Sequence, residues 1–239
     1  MPASRTIIFG AHLLDADSAR AVPAEAIIFN SEQIDTDSPW LTGPYMELLR
    51  THEVWDYSAE NALRLAQRGV TAVKHVPLGY LPELSRIAPV AEDIDVLFYG
   101  SLNPRRQAIL EELQRRGLKV TTLTGCYGEA RDRYIARSKV VLNLHFYESK
   151  VFEIVRVSYL LSNFKAVVAE SGAGTSIEPD LLQAVRAVPY DGLVEACVQL
   201  VQDDAARREL AQRGHAVFSA RPAEPALAAA LGIHAPAPA

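Results

Sequence analysis

The stretch from Asn143 to Arg156 (NLHFYESKVFEIVR) holds residue types from which a polar ligand site is readily built. An apolar run ends at Leu144, so His145 falls at the carboxyl edge of a strand. Glu153 and Arg156 follow in a segment, Phe152 to Leu161, that is apolar nearly all round and therefore reads as a buried helix. A carboxylate in the first turn of such a helix is expensive unless it is paired, capped or used. Two readings stand side by side. In one, Arg156 neutralises Glu153 one turn away. In the other, Glu153 accepts hydrogen bonds from two ribose hydroxyls, while Ser149, Lys150 and the free amides of the helix start hold a diphosphate. His145 precedes Glu153 by eight positions across a strand-to-helix loop, so both can border one pocket. An imidazole there can hydrogen-bond a sugar hydroxyl or stabilise a leaving phosphate.

A second candidate is Gly100-Ser101-Leu102-Asn103-Pro104-Arg105-Arg106, after another apolar run. Gly100 lets the backbone approach a ligand, the helix start beyond Asn103 favours an anion, and Arg105 and Arg106 supply charge-assisted donors. The plainer reading is a turn followed by solvated arginines. Tyr127, between Gly125 and Gly128, is either a stacking platform for a base or an ordinary turn aromatic. In the first half His12 follows Gly10 at a strand end, Glu32-Gln33 follow the strand ending near Asn30, and Asp56-Tyr57-Ser58 precedes a helix. Any of them can face a cleft, and His12 is the candidate there for catalysis beside His145.

Those residues need a scaffold, and the pattern predicts one. Asp95–Gly100, Lys119–Leu123, Lys139–Leu144, Lys165–Ala169 and Arg186–Pro189 read as strands. Helices are expected over Pro104–Arg116, Glu129–Ser138, Phe152–Asn163, around Pro179–Ala184, and over Gly192–Gln202 and Asp204–Gly214. Apolar strands alternating with helices mean βαβ units and a parallel sheet covered on both faces. In such a sheet ligands bind beyond the carboxyl ends of the strands. The first half is less regular: strands at Arg5–Phe9, Ala26–Phe29, Glu53–Trp55 and Thr71–Val76, and helices over Pro39–Leu49, capped by Ser38, and over Ser58–Arg68. Pro77 to Glu92 contains three prolines and reads as a linker.

The 239 residues are 49% hydrophobic and 22% charged, enough for a sizeable core in one large or two small domains. A formal charge of −5 argues against a nucleic-acid binder. Two cysteines make neither a disulfide framework nor a zinc site. The opening MPASRTIIFG has no secretory pattern and no apolar run reaches the ~18–20 residues of a membrane span, so a cytoplasmic protein is expected. Peripheral attachment to a membrane, or to a protein partner, stays open.

With those motifs in place, Asp95 to Gly214 resembles the C-terminal domain of GT-B glycosyltransferases, particularly the group-1 transferases. That family carries a Glu-x7-Glu pattern from a strand end to a helix start. Its second glutamate, which binds the nucleotide ribose, maps to Glu153; its first, which contacts the donor sugar, maps to His145, where this chain departs from the pattern. The family's basic residues after the first strand are similar to Arg105 and Arg106, and FEIVRVSYLLSNFKAVVAES is similar to its apolar helix, turn and strand, with Asn163 in place of the turn's glycine. AIIFNSEQ, VWDYSAEN and VPLGY are similar to an acceptor lobe that is short, as though an opening strand–helix unit were missing. The resemblance implies an α/β protein of two Rossmann-like lobes, the first short or incomplete. The lobes fall at 1–80 (acceptor side) and 93–220 (nucleotide-sugar side), with a Pro/Ala-rich tail over 221–239. It implies a glycosyltransferase moving a sugar from a UDP- or GDP-linked donor to a glycan, lipid or protein. No cofactor or metal is expected, and the few histidines are not at ligand spacing. The rivals are a non-catalytic GT-B-like protein that binds a nucleotide sugar or a partner, and a GT-B-shaped epimerase.

Overall fold

The structure is a computed structural model that describes residues 5–34, 38, 40–146, 152–172 and 174–233. The chain divides into two compact units, one running to Leu78 and including the segment from Ala223 onward, the other Gly79–Pro222.

The first unit holds four parallel strands, β1 (Ile7–Phe9), β2 (Ile27–Asn30), β3 (Glu53–Asp56) and β4 (Val73–His75), side by side in chain order. Ile8, Ile28, Val54 and Val73 stand opposite one another in register. They share one core with Ala19 of helix α1 (Ala16–Arg20), with Tyr45, Met46, Leu48 and Leu49 of α2 (Gly43–Thr51), and with Leu65 of α3 (Ala59–Gln67). All three crossover helices therefore lie on one face, as right-handed connections require when strands are added in one direction. The first unit is thus singly wound, without the reversal that creates a doubly wound sheet.

Helix α2 starts later than the sequence pattern predicts. Thr42, not Ser38, is its cap, accepting from the Tyr45 amide at 3.4 Å. The reason is Pro44: a helix from position 39 would bury a proline mid-helix at a cost of about 3 kcal/mol, whereas here Pro44 occupies the first turn. The stretch expected as a tail also differs, because Ala223–Leu231 forms helix α10, tied to β4 by Lys74 Nζ donating to the Ala230 carbonyl at 3.2 Å.

The second unit is a five-stranded parallel sheet of β5 (Ile94–Tyr99), β6 (Val120–Leu123), β7 (Ser138–Asn143), β8 (Ala166–Glu170) and β9 (Arg186–Val188), in the order β6-β5-β7-β8-β9. Its helices are α4 (Pro104–Arg115), α5 (Gly128–Arg137), α6 (Ile154–Ser162), α7 (Leu181–Ala184), α8 (Leu193–Gln202) and α9 (Asp204–Ser219). Val96, Phe98, Val140, Leu142 and Val168 pack against Ile109, Leu113, Leu193 and Cys197 to form the core of one layer.

Three local differences from the sequence reading have physical causes. Helix α9 runs through Gly214 to Ser219, because that glycine passes α7 so closely that a Cβ would sit 2.6 Å from the Ala184 carbonyl oxygen. In the turn before β8, Asn163 keeps a negative φ and Phe164 takes the left-handed one (54°), its ring stacked on His215 at 3.7 Å. The Asn163 side chain instead holds the predicted linker, accepting from the amides of Arg86 (3.0 Å) and Ile87 (2.9 Å). Finally, α6 begins at Ile154, so Phe152 and Glu153 precede it.

Candidate functional site

Strand addition reverses in the second unit: β6 lies on one side of β5, and β7, β8 and β9 follow on the other. Loops leaving the carboxyl ends of β5 and β7 diverge at that point and open a crevice. The sequence brings its polar residues to this edge.

After β5, Gly100 takes a φ of 137°, and a Cβ there would lie 3.1 Å from Arg156 Nη2 and 3.6 Å from Arg106 Nη1. Glycine thus leaves room for two guanidiniums beside the chain. Asn103 caps α4, accepting from the Arg106 amide at 2.9 Å, while its Nδ2 donates to the Phe146 carbonyl at 3.0 Å. One side chain therefore joins the β5 and β7 loops.

Arg106 is buried. It donates to the carbonyls of Ser101 (2.8 Å), Leu144 and His145 (3.3 Å), and to Glu153 Oε1 (3.2 Å). Its guanidinium lies over the rings of Phe98 and Phe146. Burial pushes its pKa down to about 10, against the pull of Glu153, so it stays charged at neutral pH. Glu153 Oε2 forms an ion pair with Arg156 Nη1 at 2.9 Å, and Arg156 Nη1 donates to Asn143 Oδ1 at 3.2 Å. The Glu153–Arg156 pair read from the sequence is therefore present, and Arg106 completes a clamp on the carboxylate.

Arg105 forms a two-pronged ion pair with Glu170, Nη1 to Oε2 at 2.7 Å and Nη2 to Oε1, and lies over the Tyr190 ring at 4.0 Å. Burial alone would raise the Glu170 pKa; the Arg105 hydrogen bonds outweigh it and hold the carboxyl below its ordinary range. Among the described residues, three guanidiniums and two carboxylates thus meet at this edge.

His145 is buried, and neither ring nitrogen has a hydrogen-bond partner among the described residues; the same is true of Asn143 Nδ2. Burial lowers the His145 pKa, against the pull of Glu170 and Glu153, so the ring is neutral at pH 7. Buried polar atoms left unsatisfied at a crevice are an unusual expense and mark where a ligand's polar groups fit.

Tyr127 stands 78% exposed before α5 and takes no part in this cluster. Ser149 and Lys150 lie outside the described residues. Glu170 and Asn143 were not among the candidates read from the sequence. The cue for Glu170 was available, since it ends an apolar strand just as His145 follows one, but its partner Arg105 is 65 residues away.

The first unit presents a separate polar cluster at the carboxyl ends of β2 and β3. His12 Nε2 lies 3.4 Å from Glu32 Oε1, with Trp40 edge-on to the imidazole at 5.0 Å. The Glu32 backbone is clamped by Asn30, whose Oδ1 accepts from its amide (3.1 Å), and by Asn30 and Asn61, which both donate to its carbonyl at 2.9 Å. Asn30 Nδ2 also donates to Asp56 Oδ2 at 2.6 Å, and Tyr45 donates to Asn30 Oδ1 at 2.7 Å. Burial raises the Asp56 pKa to about 6 despite these bonds. Among the described residues no three His, Cys, Asp or Glu side chains converge as a metal site, and no helix is long and apolar enough to cross a membrane.

Solved structures with this architecture include glycosyltransferases. TarM from S. aureus superposes with a TM-score of 0.63 at 11% identity over 87% of this chain and 51% of its own. HepE from Anabaena, solved with UDP and glucose, gives 0.61 at 15% identity over 87% and 71%. WaaG, a glycosyltransferase involved in lipopolysaccharide biosynthesis, gives 0.60 at 13% over 95% and 78%. The chain has their GT-B fold, two parallel α/β sheets.

No family model matches the chain. Among curated proteins it is similar to uncharacterized proteins of Acanthamoeba polyphaga mimivirus. One is 34% identical over 118 residues, 46% of this chain and 13% of the relative; another is 26% identical over 193 residues, 74% and 59%. The chain spans less than two thirds of each.

Proposed function

We propose that the protein is a metal-independent glycosyltransferase that takes a sugar from a nucleoside-diphosphate donor, UDP-linked in preference to GDP-linked, and passes it to a hydroxyl of a glycan, lipid or protein. The observation that carries this reading is the buried imidazole of His145, unpartnered among the described residues, beside a clamped Glu153 at the β5/β7 reversal. The preference for UDP is supported by HepE, which was solved with UDP and with UDP-glucose.

In this reading Glu153, pre-aligned by Arg106 and Arg156, uses its remaining lone pairs for the ribose hydroxyls. Gly100, Asn103 and the guanidiniums of Arg106 and Arg156 receive the diphosphate, the kind of preorganised field that stabilises a departing anion without rearrangement. Ser149 and Lys150 are assigned to the same diphosphate, Tyr127 to the base. His145, neutral, hydrogen-bonds the donor sugar. On the first unit His12, oriented by Glu32, takes the proton of the acceptor hydroxyl.

One observation favours a second reading, binding without transfer: both Glu153 oxygens are already engaged by arginine, which agrees with a histidine, His145, where the resembled family carries a glutamate. Titration calorimetry with UDP, GDP and ADP, followed by UDP-glucose turnover with and without glycan acceptors, decides between them. Binding of UDP with release of glucose supports the transferase. UDP binding with no turnover across a panel of sugar donors supports the second reading, and no nucleotide binding sinks both.

A further inference from the structure

The chemistry just proposed leaves Glu170 without a role, although it is among the most constrained charges in the second unit. It is 4% exposed at the end of β8. Its Oε2 accepts from the His145 backbone amide at 3.1 Å and from Arg105 Nη1, and its Oε1 accepts from Arg105 Nη2. Arg105 is fixed from its other side by Tyr190, whose ring lies beneath the guanidinium and whose hydroxyl donates to the Arg105 carbonyl at 2.7 Å. One carboxylate thereby joins the end of β8, the residue after β7 and the first turn of α4.

Stability alone is a poor account of this arrangement. Arg105 is half-exposed, so the pair places a buried carboxylate against a solvated cation, and such a pair is often no more stabilising than apolar side chains of the same volume. What it supplies is geometry: the planar fork of Arg105 fixes the carboxylate, whose one hydrogen bond to the His145 amide holds that peptide in one orientation, and with it the direction of the ring. We propose that Glu170 is the positioning residue of this site: it sets the pose of the His145 imidazole and holds Arg105 against Tyr190, away from the bound diphosphate. The inference rests on the donor-site reading above, and His145 is the group through which Glu170 acts.

Glu170→Gln keeps the shape and an acceptor for the His145 amide but removes the charge. The expected result is a UDP dissociation constant within about threefold of the parent and a kcat for UDP-glucose turnover lower by about 10–100-fold, the usual effect of losing a residue that orients a reacting group. The His145 imidazole, followed by NMR in the absence of donor and assigned with His145→Gln, should titrate at lower pH, because the carboxylate no longer favours the imidazolium. Should Glu170→Gln fail to fold, the paired replacement Arg105→Met with Glu170→Met removes both charges at similar volume and should show the same loss of kcat with UDP binding retained. A folded variant with unchanged kcat, an unmoved His145 titration, or failure of both variants to fold overturns the proposal. If the parent neither binds UDP nor turns over UDP-glucose, the donor-site reading fails by itself, while the NMR titration still decides whether Glu170 governs His145.

Discussion

The guanidinium of Arg106 and the carboxylate of Glu153 meet in the second unit with Nη2 3.2 Å from Oε1, their side chains 3% and 14% exposed. Arg106 comes from the first turn of α4 and Glu153 from the residue before α6, so the pair bridges the β5 and β7 loops at the reversal. The remaining guanidinium donors go to backbone carbonyls, which lets so buried a cation persist. It also explains why Glu153 stands outside the helix: its carboxylate is directed to two arginines and makes no cap.

Breaking this clamp from either side leaves a charge uncompensated. Arg106→Met should destabilise the protein by about 3–5 kcal/mol. Glu153→Gln, which keeps one acceptor, should cost about 1–3 kcal/mol and weaken UDP binding at least tenfold. Urea unfolding and calorimetry measure the two effects separately. Tight UDP binding by a folded Glu153→Gln would confine Glu153 to the ion pair.

Gly100→Ala tests the crowding beside the strand. The left-handed backbone and the 3.1 Å approach of Arg156 act together. The substitution should cost about 1–3 kcal/mol and push Arg156 off Glu153, with a parallel loss of UDP affinity. A crystal structure of the variant with Arg156 unmoved would contradict this account.

At Gly214 the obstacle is backbone. An added methyl would meet the Ala184 carbonyl oxygen at 2.6 Å and Leu161 Cδ2 at 2.8 Å, and neither helix can give way cheaply. Gly214→Ala should destabilise by about 3 kcal/mol, lowering Tm by roughly 6–12 °C for a domain of this size, without touching UDP affinity in the folded fraction. A Tm within 2 °C of the parent would show that α7 and α9 are not so tightly apposed.

Asp56 makes the first unit pH-sensitive. Its folded pKa, about 6, lies above the ordinary 3.8, so between those values the native state holds the proton more tightly than the unfolded chain. This group's contribution therefore rises as pH falls from about 6 to about 4 and is lost above 6. The span corresponds to a contribution on the order of 3 kcal/mol. Unfolding free energies from pH 4 to 7 should show that slope in the parent and a flatter one in Asp56→Asn; equal slopes would assign it elsewhere.

Much of this was legible in the chain itself. Periodicity and the glycines and prolines between segments placed every strand of both sheets within about two residues, because a fully buried strand must be a short apolar run wherever it lies in space. The strand-end rule also placed Gly100, Asn103, Arg106, His145 and Glu153 at one edge of the sheet, since positions at the carboxyl edge of a parallel sheet follow from where each strand stops. Tertiary structure alone decided how those residues are partnered. Glu153 shares its charge between Arg156, three residues away, and Arg106, 47 residues away; Arg105 is claimed by Glu170, 65 residues away; and no atom of the described residues claims the ring nitrogens of His145. Local pattern reports which side chains reach the carboxyl edge of a sheet. Which of them meet there depends on strand order, and the reversal between β5 and β7 is a property of the packed sheet, invisible to any single segment.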